Sequence, residues 1–295
     1  MSDSLTPIHI VGTGAMACLW GSYFPVSQPL IFINRHQQNA SFEYSVAPSN
    51  QQIEAITRST ENPGKITQLI LACKAFDALS AVEMLKPHLH PEADLVLLQN
   101  GMGSQHAIAE VFKSYAVYGC SSTEGAYKAD SQTLVHAGKG ENHIGPLTQV
   151  AKNKGPMPWL PLTVFQWHQN IEPILWRKLL INCAINPLTA LYQCQNGELL
   201  NNPSYYSHLQ STCMELDLLA DYLRLELDTA LNLATQVCKV TANNRSSMLQ
   251  DYERSRRTEL DFILGYAIKQ CQQYNISCYE LKALYSKLVQ QGLKT

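Results

Sequence analysis

The stretch that most limits the fold is Ile8-His9-Ile10-Val11 followed by Gly12-Thr13-Gly14-Ala15-Met16-Ala17. The apolar run has strand character, and Cys18 to Phe24 suit the start of a helix. A strand, a glycine turn and a helix in that order open a doubly wound α/β unit. The first glycine permits the tight turn. The second lets backbone approach a pyrophosphate, and the small third residue, Ala17, lets helix and strand pack closely. The N–H groups from Gly12 to Ala17 and the positive end of the helix dipole would then face the phosphates. An ordinary turn is the competing reading, and the placement between a strand and a helix favours the dinucleotide.

Later residues extend this unit. Leu30-Ile31-Phe32-Ile33 reads as a second buried strand, followed by Asn34-Arg35. An acidic residue there would bind the ribose hydroxyl of NAD, whereas Arg35 favours a 2′-phosphate and hence NADP. The polar stretch from Gln37 to Asn62 suggests only short edge strands. Gln68 to Cys73 is a buried strand that delivers Lys74, either to cofactor or substrate or simply to the surface. A helix is expected over Ala75 to Leu85. The strand Asp94 to Leu98 delivers Gln99-Asn100-Gly101-Met102-Gly103, where Asn100 either bridges ribose and substrate or merely makes the turn. Val117 to Ser122 is another strand. Thr133 to His136 and Asn142 to Gly145 look like a hairpin across Gly138-Lys139-Gly140, and Leu162 to Trp167 closes the strand-rich half.

Near residue 170 the texture changes. Helical periodicity runs over 174–190, 205–225, 227–241, 253–274 and 279–291. The expected architecture is an α/β Rossmann-like N-terminal domain over 1–169, binding NADP, and an all-α C-terminal domain over 170–295. With 295 residues the chain can bury two cores. The net charge of -2 gives no reason to expect nucleic acid or an anionic membrane surface as partner. No apolar run is long enough to span a bilayer. Met1 to Pro7 is polar and does not read as a signal peptide. Nine scattered cysteines without a CxxC pair argue for reduced thiols in the cytoplasm and against a metal site.

The helix expected over 174–190 carries an anomaly. Lys178, Asn182 and Asn186 follow at i+4 steps, so they drift only about 40° per step and share one face. Their neighbours Leu179, Leu180, Ile181, Ala184 and Ile185 are apolar. Lysine is rarely buried unpaired, so the face implies a polar cavity or a paired ion. Pro187 should kink or end the helix. Two further polar sets stand at 243–251 and 256–261, and each alone reads as a helix break or a helix start.

Taken together, these motifs resemble the ketopantoate reductases (2-dehydropantoate 2-reductases). The similarity lies in Trp176-Arg177-Lys178-Leu179, Asn182, Ile185-Asn186-Pro187-Leu188-Thr189-Ala190, Asn196-Gly197-Glu198-Leu199, Ser246 to Asp251 and Thr258-Glu259-Leu260-Asp261. The glycine turn, Lys74, Asn100 to Gly103 and His143-Ile144-Gly145-Pro146 match as well, in order over nearly the whole chain. The resemblance implies NADPH-dependent reduction of 2-dehydropantoate to (R)-pantoate, for pantothenate and coenzyme A biosynthesis. It implies Lys178 as general acid and Glu259 as the carboxylate that engages substrate. It also implies Asn182, Asn186, Asn244 and Ser247 as substrate contacts, with Asn100 serving substrate and cofactor. Lys74 and Arg35 would lie on the cofactor side. Glu124 and the linker Ala151 to Trp159 depart from the family pattern. The alternatives are an NADP-dependent reductase of another branched 2-oxo acid and a non-catalytic dinucleotide-binding regulator. Oligomeric state is not legible.

Two geometric consequences follow. On one straight helix Ser247 and Glu259 would be about 18 Å apart, too far to share one small acid, so if both are substrate contacts the chain must bend between them, with Asp251 as a plausible N-cap for the helix bearing Glu259. Asn182 and Asn186 lie about 6 and 12 Å beyond Lys178 along the axis, which places Asn186 at the far end of any small substrate.

Overall fold

A computed structural model describes residues 5–35 and 39–295. The chain divides into two compact units. One comprises Met1–Gln99 with Ser104–Ile171, and the other comprises Asn100–Gly103 with Glu172–Thr295.

The first unit is built on an eleven-stranded sheet. Its strands are β1 (Ile8–Val11), β2 (Leu30–Asn34), β3 (Ala40–Ala47), β4 (Gln51–Ser59), β5 (Ile66–Leu71), β6 (Leu89–Leu97), β7 (Ala116–Ser122), β8 (Gly125–Lys128), β9 (Thr133–Gly138), β10 (Asn142–Pro146) and β11 (Phe165–Trp167). Their spatial order is β11-β10-β7-β6-β5-β1-β2-β4-β3-β9-β8. From β7 through β4 all pairs are parallel. The central strands are buried on both faces, as parallel sheets require. Ile8, Ile10, Phe32, Ile70 and Val96 point to one core with α1 (Ala15–Gly21). Val11, Ile31, Ile33, Leu69, Leu71, Leu95 and Leu97 point to another with α2 (Ala75–Leu85) and α3 (Ser104–Val111). The strand order reverses beside β1, which is where ligands of open α/β sheets sit, beyond the strand carboxyl ends.

Three sequence expectations change here. The stretch before Asn62 holds long strands, not short edges. β3 and β4 pair antiparallel over seven registered residue pairs, and β4 continues the parallel sheet through β2. The hairpin expected between residues 133 and 145 does not form. β9 pairs with β8 and β3, whereas β10 pairs with β7 and β11. Local alternation marks a strand but not its partner. The crossing from β9 to β10 is held by Glu124, whose carboxylate accepts from Gly140 N at 3.0 Å and lies 2.6 Å from His136 Nε2. The supposed linker is also structural: Met157 and Leu160 join the core, and Lys154 and Trp159 both donate to buried Asp94, at 2.6 and 2.9 Å.

The second unit is helical, with no strand among its described residues. α5 (Glu172–Tyr192) packs against α6 (Glu198–Asn201), α7 (Pro203–Tyr222), α8 (Ala230–Val240), α9 (Ser247–Glu253) and α11 (Tyr279–Gln290). It also meets a π-helical turn, Asp261–Gly265, which runs into α10 (Tyr266–Gln273). Pro187 neither ends nor breaks α5, which runs on to Tyr192. Proline removes one N–H from the helix ladder, but every residue from Cys183 to Ala190 is buried, and that packing offsets the loss. Among the described residues no helix is long and apolar enough to cross a membrane.

His9, buried in β1, couples the first unit to pH. Its Nε2 lies 3.3 Å from the Pro63 carbonyl, which also accepts from Arg58, and its Nδ1 has no hydrogen-bond partner among the described residues. Burial, reinforced by the Arg58 charge, pushes its pKa from 6.5 to about 4. The native state therefore binds fewer protons than the unfolded chain between those values. The stability is complete above pH 6.5 and falls as pH drops toward 4. Going from pH 7 to 4.5 should cost about 2–3 kcal/mol through this residue. Urea midpoints of wild type and His9→Leu at both pH values check this: the acid loss should shrink in the variant, and an unchanged loss refutes the assignment.

Candidate active site

The residues singled out in the sequence fall into two sets, one in each unit. In the first unit, Gly12 follows β1 with φ +100°, a conformation that glycine adopts readily. A Cβ there would stand 3.5 Å from the Ala72 carbonyl, so the turn lies close against the end of β5. Gly12 N donates to Ile33 O at 2.9 Å, which ties the turn to β2. At Gly14 a Cβ would meet no atom of the described residues within 4 Å, so among them this face of the turn is open. Gly14 is the N-cap of α1 without a side-chain cap, while Ala17 is fully buried against the sheet. These are the properties expected of a loop that offers backbone N–H groups to an anion.

Arg35 and Lys74 flank that turn at the ends of β2 and β5. The Arg35 side chain is 44% exposed, and its guanidinium pairs with Asp77 at 3.1 Å and Ser80 Oγ at 3.0 Å. Both partners lie on α2, so Arg35 is fixed in position and still has donors to spare from its five. Lys74 is the N-cap of α2 and is half-buried. Gln99, at the end of β6, donates to Leu71 O at 2.9 Å and locks the ends of β5 and β6 together.

The second set assembles within the helical unit. Lys178 Nζ donates to Asn100 Oδ1 at 2.8 Å. Asn100 leaves β6 but belongs to the helical unit with Gly101, Met102 and Gly103. Met102 N donates to Phe262 O at 2.8 Å, inside the π turn. Cys183 Sγ on α5 donates to the next carbonyl, Ile263 O, at 3.4 Å. Glu259, 5% exposed, stands at the entry to that turn, and its carbonyl accepts from Phe262 N and Ile263 N. Lys178, Asn100 and Glu259 are thus carried by three segments joined at one place.

The other residues are distributed more loosely. Asn182 is half-buried one turn beyond Lys178, and Asn186 is 8% exposed one turn further. Ser247 is exposed as the first residue of α9, and Asn244 is exposed just before it, with its carbonyl accepting from Asn196 N at 3.0 Å. The chain does bend between Ser247 and Glu259. α9 ends at Glu253, Ser255 takes φ 52°, and Thr258 N reaches Lys294 O at 2.8 Å. Asp251 is not an N-cap, because it lies buried inside α9, where it cannot face a helix start. Ser246 caps α9 by accepting from Leu249 N, and Thr258 Oγ1 accepts from Leu260 N.

Sequence profiles described as ketopantoate reductase PanE/ApbA match residues 8–149, and profiles of the PanE/ApbA C-terminal part match 170–291. The 2-dehydropantoate 2-reductase of Vibrio cholerae serotype O1 is 31% identical over 290 residues, spanning 97% of this chain and 93% of that protein. The one from Yersinia pestis is 32% identical, spanning 94% and 92%. This chain belongs to the ketopantoate reductase family. The fold agrees with that of a PanE/ApbA family ketopantoate reductase from Ralstonia eutropha JMP134 (TM-score 0.83, 22% identity, 97% and 98% covered). It agrees nearly as well with a D-mandelate dehydrogenase solved with NADH and anilino(oxo)acetate (TM-score 0.81, 17% identity, 97% and 98% covered), so the fold alone does not select a substrate.

A buried pair of hydroxyls, Thr189 and Ser246, goes unannounced in the sequence. The Thr189 hydroxyl lies 2.7 Å from Ser246 Oγ and 3.0 Å from the Asn186 carbonyl. It joins α5 to the cap of α9 and so sets where Ser247 stands relative to Asn186. The available signal was a hydroxyl in each of two motifs, which sequence alone does not bring together. Thr189→Val should cost about 1–3 kcal/mol, since it strips a partner from a buried hydroxyl, and Thr189→Ser should recover most of it. Equal urea midpoints for wild type and Thr189→Val would refute the coupling.

Proposed function

We propose that this chain reduces 2-dehydropantoate to (R)-pantoate with NADPH, the reaction that feeds pantothenate and coenzyme A synthesis. The single observation behind this reading is the 2.8 Å hydrogen bond from Lys178 Nζ to Asn100 Oδ1, next to the segment of buried Glu259. NADPH, when bound, supplies the hydride that converts the ketone carbon to the alcohol carbon. As that carbon is reduced, negative charge builds on its oxygen. Lys178 stabilises the charge and donates the proton. Asn100 accepts one ammonium N–H and orients the remaining two. Glu259 is an acceptor for a substrate hydroxyl, while Asn182, Asn186, Asn244 and Ser247 offer amide and hydroxyl contacts to a small hydroxylated acid.

The open glycine turn fits a dinucleotide pyrophosphate, with Gly12, Thr13, Gly14, Ala15, Met16 and Ala17 forming its cradle. Arg35 is the contact for the 2′-phosphate, with Lys74 and Asn100 on the cofactor side. The relatives named 2-dehydropantoate 2-reductase favour this substrate over another 2-oxo acid.

NADPH oxidation with 2-dehydropantoate, measured beside 2-oxoisovalerate, tests the reading. Wild type should prefer the first, and Lys178→Ala should lower kcat by about 10²–10⁴-fold. Turnover on neither acid would leave the dinucleotide-binding regulator. Full activity in Lys178→Ala would remove the proposed acid.

Cofactor choice gives a separate check. Arg35→Ala should raise the KM for NADPH by about 10–100-fold, the scale of one charged hydrogen bond, and leave that for NADH nearly unchanged. A parallel loss for both cofactors would refute the phosphate role.

A further inference from the structure

The contacts around Lys178 form a closed circuit. From Asn100 the chain reaches Met102, whose N–H donates to Phe262 O at 2.8 Å. The adjacent carbonyl, Ile263 O, accepts from Cys183 Sγ on α5 at 3.4 Å. Five residues back along α5 stands Lys178, whose ammonium returns to Asn100 at 2.8 Å. Both acceptor carbonyls belong to the π turn over Asp261–Gly265. An α-helix has few carbonyls to offer outside itself, whereas a π turn disturbs the ladder, and such turns recur at functional sites.

The two glycines of the Asn100-Gly101-Met102-Gly103 segment allow the close approach. Gly101 has φ +79°, and a Cβ there would stand 2.3 Å from the Phe262 carbonyl oxygen and 2.7 Å from its carbon. That obstruction is backbone and cannot rotate away. Gly103 has φ +95°, and its Cβ would stand 2.9 Å from the Tyr266 ring. That ring edge can shift, so the second glycine is the milder constraint.

From this circuit we infer that Gly101, docked on the π turn, is a positioning residue that sets the Asn100 amide against the Lys178 ammonium. It acts on the ammonium through Asn100. The functional part of this inference rests on Lys178 being the acid of the proposed reduction; the geometric part does not.

The test compares Gly101→Ala, Asn100→Ala and the double variant for kcat with 2-dehydropantoate and NADPH. Gly101→Ala should lower kcat at least tenfold, close to the loss in Asn100→Ala. In the Asn100→Ala background, adding Gly101→Ala should change kcat by less than twofold. A purely structural role would multiply the two losses, and that result overturns the inference. A crystal structure of Gly101→Ala supplies a readout independent of turnover. The Lys178 Nζ to Asn100 Oδ1 separation should exceed 3.5 Å by the ordinary hydrogen-bond limit. Retention of the 2.8 Å contact overturns the inference even if wild type proves inactive on every 2-oxo acid. Should Gly101→Ala not fold, Gly103→Ala takes its place in the same cycle, with a smaller loss that must likewise vanish in the Asn100→Ala background.

Discussion

The half-buried Lys178 ammonium takes Asn100 as a hydrogen-bond acceptor, and several segments of the helical unit meet around that contact. Asn100, one acceptor of that ammonium, lies 78 residues before Lys178 in the chain. It reaches the helix because Gly101 and Gly103 take positive φ, the first lying against Phe262 of the π turn and the second against the Tyr266 ring at the start of α10. That turn in turn bonds to α5 through Cys183. α7, α8, α9 and α11 enclose α5, so the polar face is held in an otherwise apolar bundle. Placing one ammonium has therefore recruited a strand exit, an irregular helix and the central helix of the unit.

The sheet unit answers a different constraint. A strand buried on both faces must be apolar at every position, and β1, β2 and β6 come close to this over their central residues. Two buried exceptions are His9, which stays neutral because burial disfavours its charge, and Asp94, which accepts from Lys154 and Trp159. The polar residues are displaced to the strand exits, where Gly12, Arg35, Lys74 and Gln99 stand. A cofactor reading arises there because that is where polar groups survive at the edge of an apolar sheet.

Where sequence reasoning misplaced a feature, the reason was the same each time. The residues around 133 and 145 have the alternation and the glycines of a hairpin, but pairing depends on which strands lie beside them, and β9 and β10 take different neighbours. Pro187 carries an intrinsic cost to any helix, but the cost of ending α5 there would be to expose a fully buried segment. Asp251 has the chemistry of an N-cap, yet it lies buried inside α9, whose cap is Ser246. Propensity ranks local options, and packing chooses among them.

The residues by themselves determined the strand–glycine turn–helix opening, the change to helical texture near residue 170 and the shared face of Lys178, Asn182 and Asn186. All of these rest on period and on backbone chemistry that act within a few residues. Only with Ser247 and Glu259 both taken as substrate contacts, as the family resemblance implies, did constant helix rise also require a bend between them. Only the tertiary structure decided what Lys178 bonds to, how the bend is made and which helix start is capped by which hydroxyl. It alone joined Thr189 to Ser246, and Gly101 to a carbonyl 161 positions later. Those are contacts between segments far apart in the chain, and their free energy depends on shape and burial that no local pattern encodes.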